Sequence, residues 1–185
     1  MKTIILALAA TLIIAMTPLT GVSAATPFLG VSGDNLTYNG SPVVLRGENF
    51  NNGPGLSCCN GTDITGINST QADYTTVAAM GANSVRFGMD YKWYASNRAQ
   101  FFSVLDTHVA WAAAAHLWLV PVIGVPPGGS DGGYGGQGAF WGSSANQQLL
   151  VDFWRDFASH FAGSPTIGGY DVFNEPAPPS AQAWD

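Results

Sequence analysis

Apolar positions along this chain recur with two different periods, and the switches between them mark out its elements. From Phe28 to Leu45, two short apolar runs flank Tyr38-Asn39-Gly40-Ser41, and Asn-Gly at the centre predicts a hairpin turn. Pro42-Val43-Val44-Leu45-Arg46 then leads into a first buried strand that ends near Asn49. A Gly/Asn/Cys loop follows, from Asn51 to Asn68. Thr70 to Met80 has helical spacing, with Ser69 or Thr70 as N-cap and Gly81 as stop. Asn83 to Met89 is a second short strand. Asn97 caps a long helix in which Phe101, Leu105, Val109 and Ala112 recur along one side. Leu117 to Ile123 is apolar throughout, as suits a parallel strand covered on both faces. Gly124 to Ser144 is a Gly/Pro/aromatic loop, long enough to be functional. Leu149 to Phe161 is an amphipathic helix, and Ile167 to Phe173 a fourth strand that ends on Asn174-Glu175-Pro176.

A hairpin followed by β-α-β-α-β-α-β predicts a parallel α/β sheet, either doubly wound or a (β/α)8 barrel. Loops after the strands are long and those after the helices short. Chemistry is therefore expected at the C-terminal ends of the strands. On the barrel reading, residues 25–185 are the N-terminal half of one domain and hold strands one to four.

The start of the chain changes the picture of where it acts. Residues 1–24 read as a signal peptide: Lys2 is the positive n-region, Ile4 to Met16 the apolar stretch, and Val22-Ser23-Ala24 the cleavage site. The stretch is shorter than the roughly 20 apolar residues that a spanning helix needs. Secretion is expected, with no membrane attachment after cleavage; an uncleaved anchor is the alternative. In that setting Cys58 and Cys59 are expected to be oxidised, and adjacent cysteines rarely bridge each other without backbone strain, which points to partners outside this chain. Asn35, Asn39, Asn60 and Asn68 begin N-x-S/T sequons.

Charge narrows the partners. Six Lys+Arg stand against twelve Asp+Glu, which opposes nucleic acid or anionic membrane, because both require clustered cations. With 46% hydrophobic residues and only 10% charged, disorder is excluded. An acidic, aromatic-rich chain suits a neutral partner that stacks and hydrogen-bonds.

Glu175 is the most informative single residue. It follows the apolar Val172-Phe173 and precedes a proline, which is expected to place a carboxylate at the mouth of the sheet between hydrophobic walls. Such a setting keeps a carboxyl group protonated for general-acid work near neutral pH. A strand-end glutamate simply solvated in a loop is the alternative. Trp93 and Tyr94 after strand two, and Tyr134, Phe140 and Trp141 in the long loop, are candidate platforms for a ligand that stacks, or else packing residues. His108, His116 and His160 lack metal-ligand spacing, so no zinc site is expected. Gly128-Gly129-Ser130-Asp131-Gly132 fits G-x-S-x-G, but prolines precede it and glycines follow, where the serine-hydrolase elbow needs a strand and a helix. The G-x-G-x-x-G match from Gly133 to Gly138 likewise neither leaves a strand nor opens a helix.

Three segments in order carry a family resemblance. VVLRGENF from Val43 is similar to the first strand of glycoside hydrolase family 5, usually LRGVNF. GANSVRFGM from Gly81 is similar to its second, and YDVFNEP from Tyr170 resembles its fourth. The resemblance implies a retaining (β/α)8 glycosidase acting on a β-linked polysaccharide such as a glucan or mannan, with no metal or organic cofactor. By position it makes Glu175 the acid/base and Asn174 the contact to the sugar 2-hydroxyl, and it makes the aromatics at the strand ends candidate sugar platforms. Arg86 becomes the arginine that holds the nucleophile ionised, or else an inward arginine paired to another carboxylate. Gly124 stands where the family has a histidine, and Glu48 where it has Val or Ile, both expected near the sugar. The family nucleophile, a second glutamate ending strand seven, has no counterpart here. The competing readings are a secreted carbohydrate-binding protein without hydrolysis, and a serine esterase resting on Ser130.

Overall fold

A computed structural model describes residues 27–50, 64, 67–129 and 137–184. The leader over 1–24, Cys58, Cys59, the sequon at Asn60, Ser130 and Tyr134 lie outside the described residues.

The predicted hairpin is a three-stranded antiparallel meander of β1 (Gly30–Ser32), β2 (Asn35–Tyr38) and β3 (Ser41–Pro42). Between β2 and β3, Asn39 and Gly40 both take positive φ, 52° and 75°, as a two-residue turn matched to strand twist requires. The Tyr38 ring meets Trp118 edge-on at 5.1 Å, tying the meander to the foot of the main sheet.

The main sheet is parallel, in the order β4 (Gly47–Phe50), β5 (Ser84–Asp90), β6 (Trp118–Val125). Strand one was expected to be buried, but Gly47, Glu48 and Asn49 of β4 are exposed, because β4 is the edge of this sheet. A Cβ on Gly47 would lie 1.8 Å from the Ser84 carbonyl oxygen, so only glycine lets β4 approach β5 here. The fourth strand is present as two parallel bridges to β6, Leu119↔Ile167 and Val122↔Asp171, rather than as a continuous ladder. Gly168-Gly169 interrupts it, and Gly168 itself is pressed against the Trp118 side chain. Backbone bonds from Asp171 N–H to Pro121 O (3.0 Å) and from Asn174 N–H to Ile123 O (2.9 Å) keep the segment in line with β6.

Helices start where their caps say. Before α1 (Gln71–Ala79), Asp73 accepts from both the N–H (2.6 Å) and the hydroxyl (2.8 Å) of Thr70, and Gly81 ends the turn at φ 87°. The helix α2 (Tyr91–Ser96) follows β5 with no intervening loop. Asn97 Oδ1 accepts from Gln100 N–H at 3.0 Å to open α3 (Arg98–Ala114). Beyond β6, the expected loop up to Ser144 contains a short helix, α4 (Gly138–Trp141). The next helix, α5 (Ser144–His160), begins five residues earlier than its apolar period suggested (Ser144 against Leu149), capped by Ser143. A last turn, α6, covers Ala181–Trp184.

The core lies between the sheet and α3 and α5. Val85, Phe87 and Met89 of β5 and Phe101, Phe153 and Phe157 of the helices are all fully buried, and their rings meet edge-on, Phe101 and Phe153 at 5.8 Å. Each such side chain contributes about 1.5–3 kcal/mol of burial. Tyr94, Arg98 and Asp156 tie α2, α3 and α5 together: Asp156 accepts from Arg98 at 2.6 and 2.7 Å and from the Tyr94 hydroxyl at 2.8 Å. Strand alternation sends Arg86 to the face opposite Phe87, and this polar face carries the candidate site.

Candidate active site

Register decides which side chains share that face. Asn49 pairs with Arg86 and Arg86 with Val120, while Val122 pairs with Asp171. Residues in register point the same way. Arg86 reaches along this face to strand four: its Nε (2.9 Å) and Nη2 (2.7 Å) both donate to Asp171 Oδ2. The same Nη2 donates to Asn174 Oδ1 at 2.8 Å, and Nη1 to Asn49 Oδ1 at 3.4 Å. About a third of the Arg86 and Asp171 side chains remains open to solvent. A half-exposed pair contributes little net stability, roughly 0–1 kcal/mol, so its effect is geometric: it orients Asn174.

Asp171 was not singled out in the sequence. A charged residue inside an otherwise apolar predicted strand was the available signal, three positions before Asn174.

Asn174 ends the sheet, its N–H still bonded to β6, and Glu175 follows at once. The Glu175 backbone is left-handed, with φ 45°, which costs a non-glycine residue roughly 1–2 kcal/mol. This turn takes the chain out of the strand, so the Glu175 side chain is exposed rather than held between hydrophobic walls. The apolar setting expected for it is therefore not what these residues build; Phe173, two positions earlier, takes the buried place.

Gln137 supports the turn. It is 6% exposed, and its Nε2 donates to Glu175 O (3.1 Å) while its Oε1 accepts from Ala177 N–H (2.8 Å) and from Trp141 Nε1 (3.3 Å). Trp141 is half-buried, stacked on Phe173 at 5.8 Å and 25°, so strand four and α4 meet beside Glu175. Gln137 carried no sequence signal, since a lone glutamine in a glycine-rich loop has none.

Trp93 must be corrected. Expected as a sugar platform, it is 1% exposed, because α2 starts directly after β5 and turns its second residue-pair inward. Tyr94 is likewise engaged, its ring against Phe101 and Phe153. Tyr134 lies outside the described residues. Gly124 sits on β6, where an added Cβ would meet only ordinary contact, 3.5 Å from Met89 O. Glu48 was expected near the sugar site, but it pairs in register with Val85 and so lies on the face opposite Arg86. Among the described residues no three His, Cys, Asp or Glu side chains converge as a metal site, and no helix is long and apolar enough to cross a membrane.

The profile of the cellulase family, glycosyl hydrolase family 5, matches residues 37–185, and the chain belongs to that family. No curated protein matches it. Among solved structures it is similar to an endogalactoceramidase, at 20% identity and TM-score 0.62, over 82% of this chain and 45% of that one. It is also similar to the catalytic domain of Thermobifida fusca endoglucanase Cel5A, at 20% identity and TM-score 0.57, over 85% of this chain and 46% of that one. Endo-glycoceramidase II from Rhodococcus sp. matches at 19% identity and TM-score 0.57, over 75% and 41%. The fold is thus that of a (β/α)8 barrel, of which this chain holds an open part: it spans less than half the length of the structures it matches.

Proposed function

We propose that the protein carrying this chain is a secreted retaining glycoside hydrolase that cleaves β-linked polysaccharide, with Glu175 as acid/base. The observation that supports this best is the placement of Asn174-Glu175 at the end of strand four of a family-5 chain, beside Arg86. With its Oδ1 taken by Arg86, the Asn174 amide directs its N–H donors toward a sugar hydroxyl. Glu175 gives its proton to the glycosidic oxygen as a second carboxylate, beyond Asp185, attacks the anomeric carbon. The C–O bond to the leaving sugar breaks and a glycosyl-enzyme ester forms. Glu175, now ionised, takes a proton from water, whose oxygen attacks the same carbon and releases the nucleophile. Arg86, paired with Asp171, holds Asn174 in place, and Trp141 offers a ring for a sugar face. No metal or organic cofactor enters. Residues 25–185 alone lack one carboxylate of the pair and are inactive on this reading.

In the complete enzyme, Glu175→Gln should lower polysaccharide hydrolysis by about 10²–10⁴-fold, the worth of a general acid. Formation of the glycosyl-enzyme from an activated aryl glycoside should be spared, because that leaving group needs no proton. Release of reducing ends from β-glucan, β-mannan and glycosphingolipid, the last included because similar folds occur in glycoceramidases, identifies the substrate class. Unchanged polysaccharide turnover in Glu175→Gln removes Glu175 from the mechanism.

A further inference from the structure

Glu175 holds an unfavourable backbone conformation at a point where regular pairing has stopped. Pro176, next to it, has no N–H to offer a neighbouring strand. On either side of Pro176 stand the Glu175 carbonyl and the Ala177 N–H, and one side chain takes both. Gln137 donates to the first at 3.1 Å and accepts from the second at 2.8 Å. A single residue of a parallel strand bonds its neighbour in this pattern, across one intervening residue. The primary amide of Gln137 therefore continues the sheet for one position past its end. Its Oε1 also holds Trp141 Nε1, and the group is buried, so it has no competing water.

We infer that Gln137 is the positioning residue for Glu175: by pairing with the backbone on both sides of Pro176 it sets the direction in which the Glu175 carboxyl leaves the strand. This rests on the reading of Glu175 as acid/base. Gln137 touches neither sugar nor reacting atoms; it acts through the left-handed turn at Glu175 and couples that turn to the Trp141 ring.

The test is made in the complete enzyme with Gln137→Met, which fills the same space without hydrogen bonds. Misplacing a catalytic group by about 1 Å can cost on the order of 10²-fold. Polysaccharide kcat should fall about tenfold or more while glycosyl-enzyme formation from an activated aryl glycoside changes less than about threefold, the selectivity of a lost proton donor. In a Glu175→Gln background the same substitution should cost nothing further, since residues acting as a unit are not additive. Equal losses on both substrates, or an additive loss in the double variant, overturns the inference. Glu175→Gln alone reports on the underlying reading: if it is harmless, that reading fails first and for a separate reason.

Discussion

The ends of β5 and β6 each lead to a tryptophan, and the two tryptophans have opposite fates. After β5 the chain turns straight into α2, Asp90 capping it by accepting from Lys92 N–H at 2.8 Å, and Trp93 is driven into the core. Among the described residues its indole N–H finds no acceptor, so Trp93 is there for its volume. After β6 the chain first leaves the sheet at Pro126 and returns as α4, which lays Trp141 half-open across Phe173, its N–H held by Gln137. Both residues are tryptophans carried by the first helix after a strand. What differs is the length of chain between strand and helix: a direct turn buries the side chain, and an excursion leaves it at the rim where a ligand can reach.

Truncation is the strongest way to break this comparison. Trp93→Ala should destabilise the complete enzyme by about 3–5 kcal/mol, the cost of emptying a large aromatic site, whereas Trp141→Ala should cost roughly 1 kcal/mol or less. Urea unfolding of both variants decides it, and comparable losses would show that Trp141 is as much core as Trp93.

Acid titration sharpens the same contrast, because the dry packing behind β5 extends to His108. Its ring lies 4.8 Å from that of Phe87, its Nδ1 is 3.0 Å from the Tyr74 hydroxyl, and burial pushes its pKa down to about 4. Above the ordinary histidine value of about 6.5, folded and unfolded states are both neutral and this side chain imposes no penalty. As pH falls from there toward 4, the unfolded chain takes up a proton that the folded chain refuses, and the folding constant drops by up to about tenfold per pH unit. Below 4 the loss levels off. His108→Gln, which keeps an acceptor for Tyr74, should flatten stability across that window in pH-dependent unfolding. Losses from Asp156, whose carboxyl Arg98 holds below the usual range, and from Asp73, held down by the Thr70 N–H, belong to still lower pH. A His108→Gln profile identical to the parent would remove the dry-core account of β5.

The smallest effect belongs to the rim. Trp141→Ala should weaken oligosaccharide binding by about 1 kcal/mol, read as a severalfold rise in KM, by loss of one stacking ring. Trp93→Phe, kept folded, should leave KM unchanged. A KM shift from Trp93→Phe larger than that from Trp141→Ala would invert the assignment.

Local features were legible in the sequence because their causes are local. Thr70 with Asp73 and Asn97 with Gln100 each open a helix through groups three residues apart, and Asn39-Gly40 makes its turn alone. The order of strands and helices and the position of Asn174-Glu175 at a strand end follow from such signals together with apolar period. Arg86 finds Asp171 across 85 positions of chain, and Gln137 reaches Glu175 across 38. No periodicity encodes a separation of that kind. Whether Trp93 is buried, which face Glu48 takes and what supports the Glu175 turn were decided only when the strands fell into register and α4 packed against strand four. Side-chain burial and pairing are properties of neighbours in space, and the tertiary structure chose those neighbours.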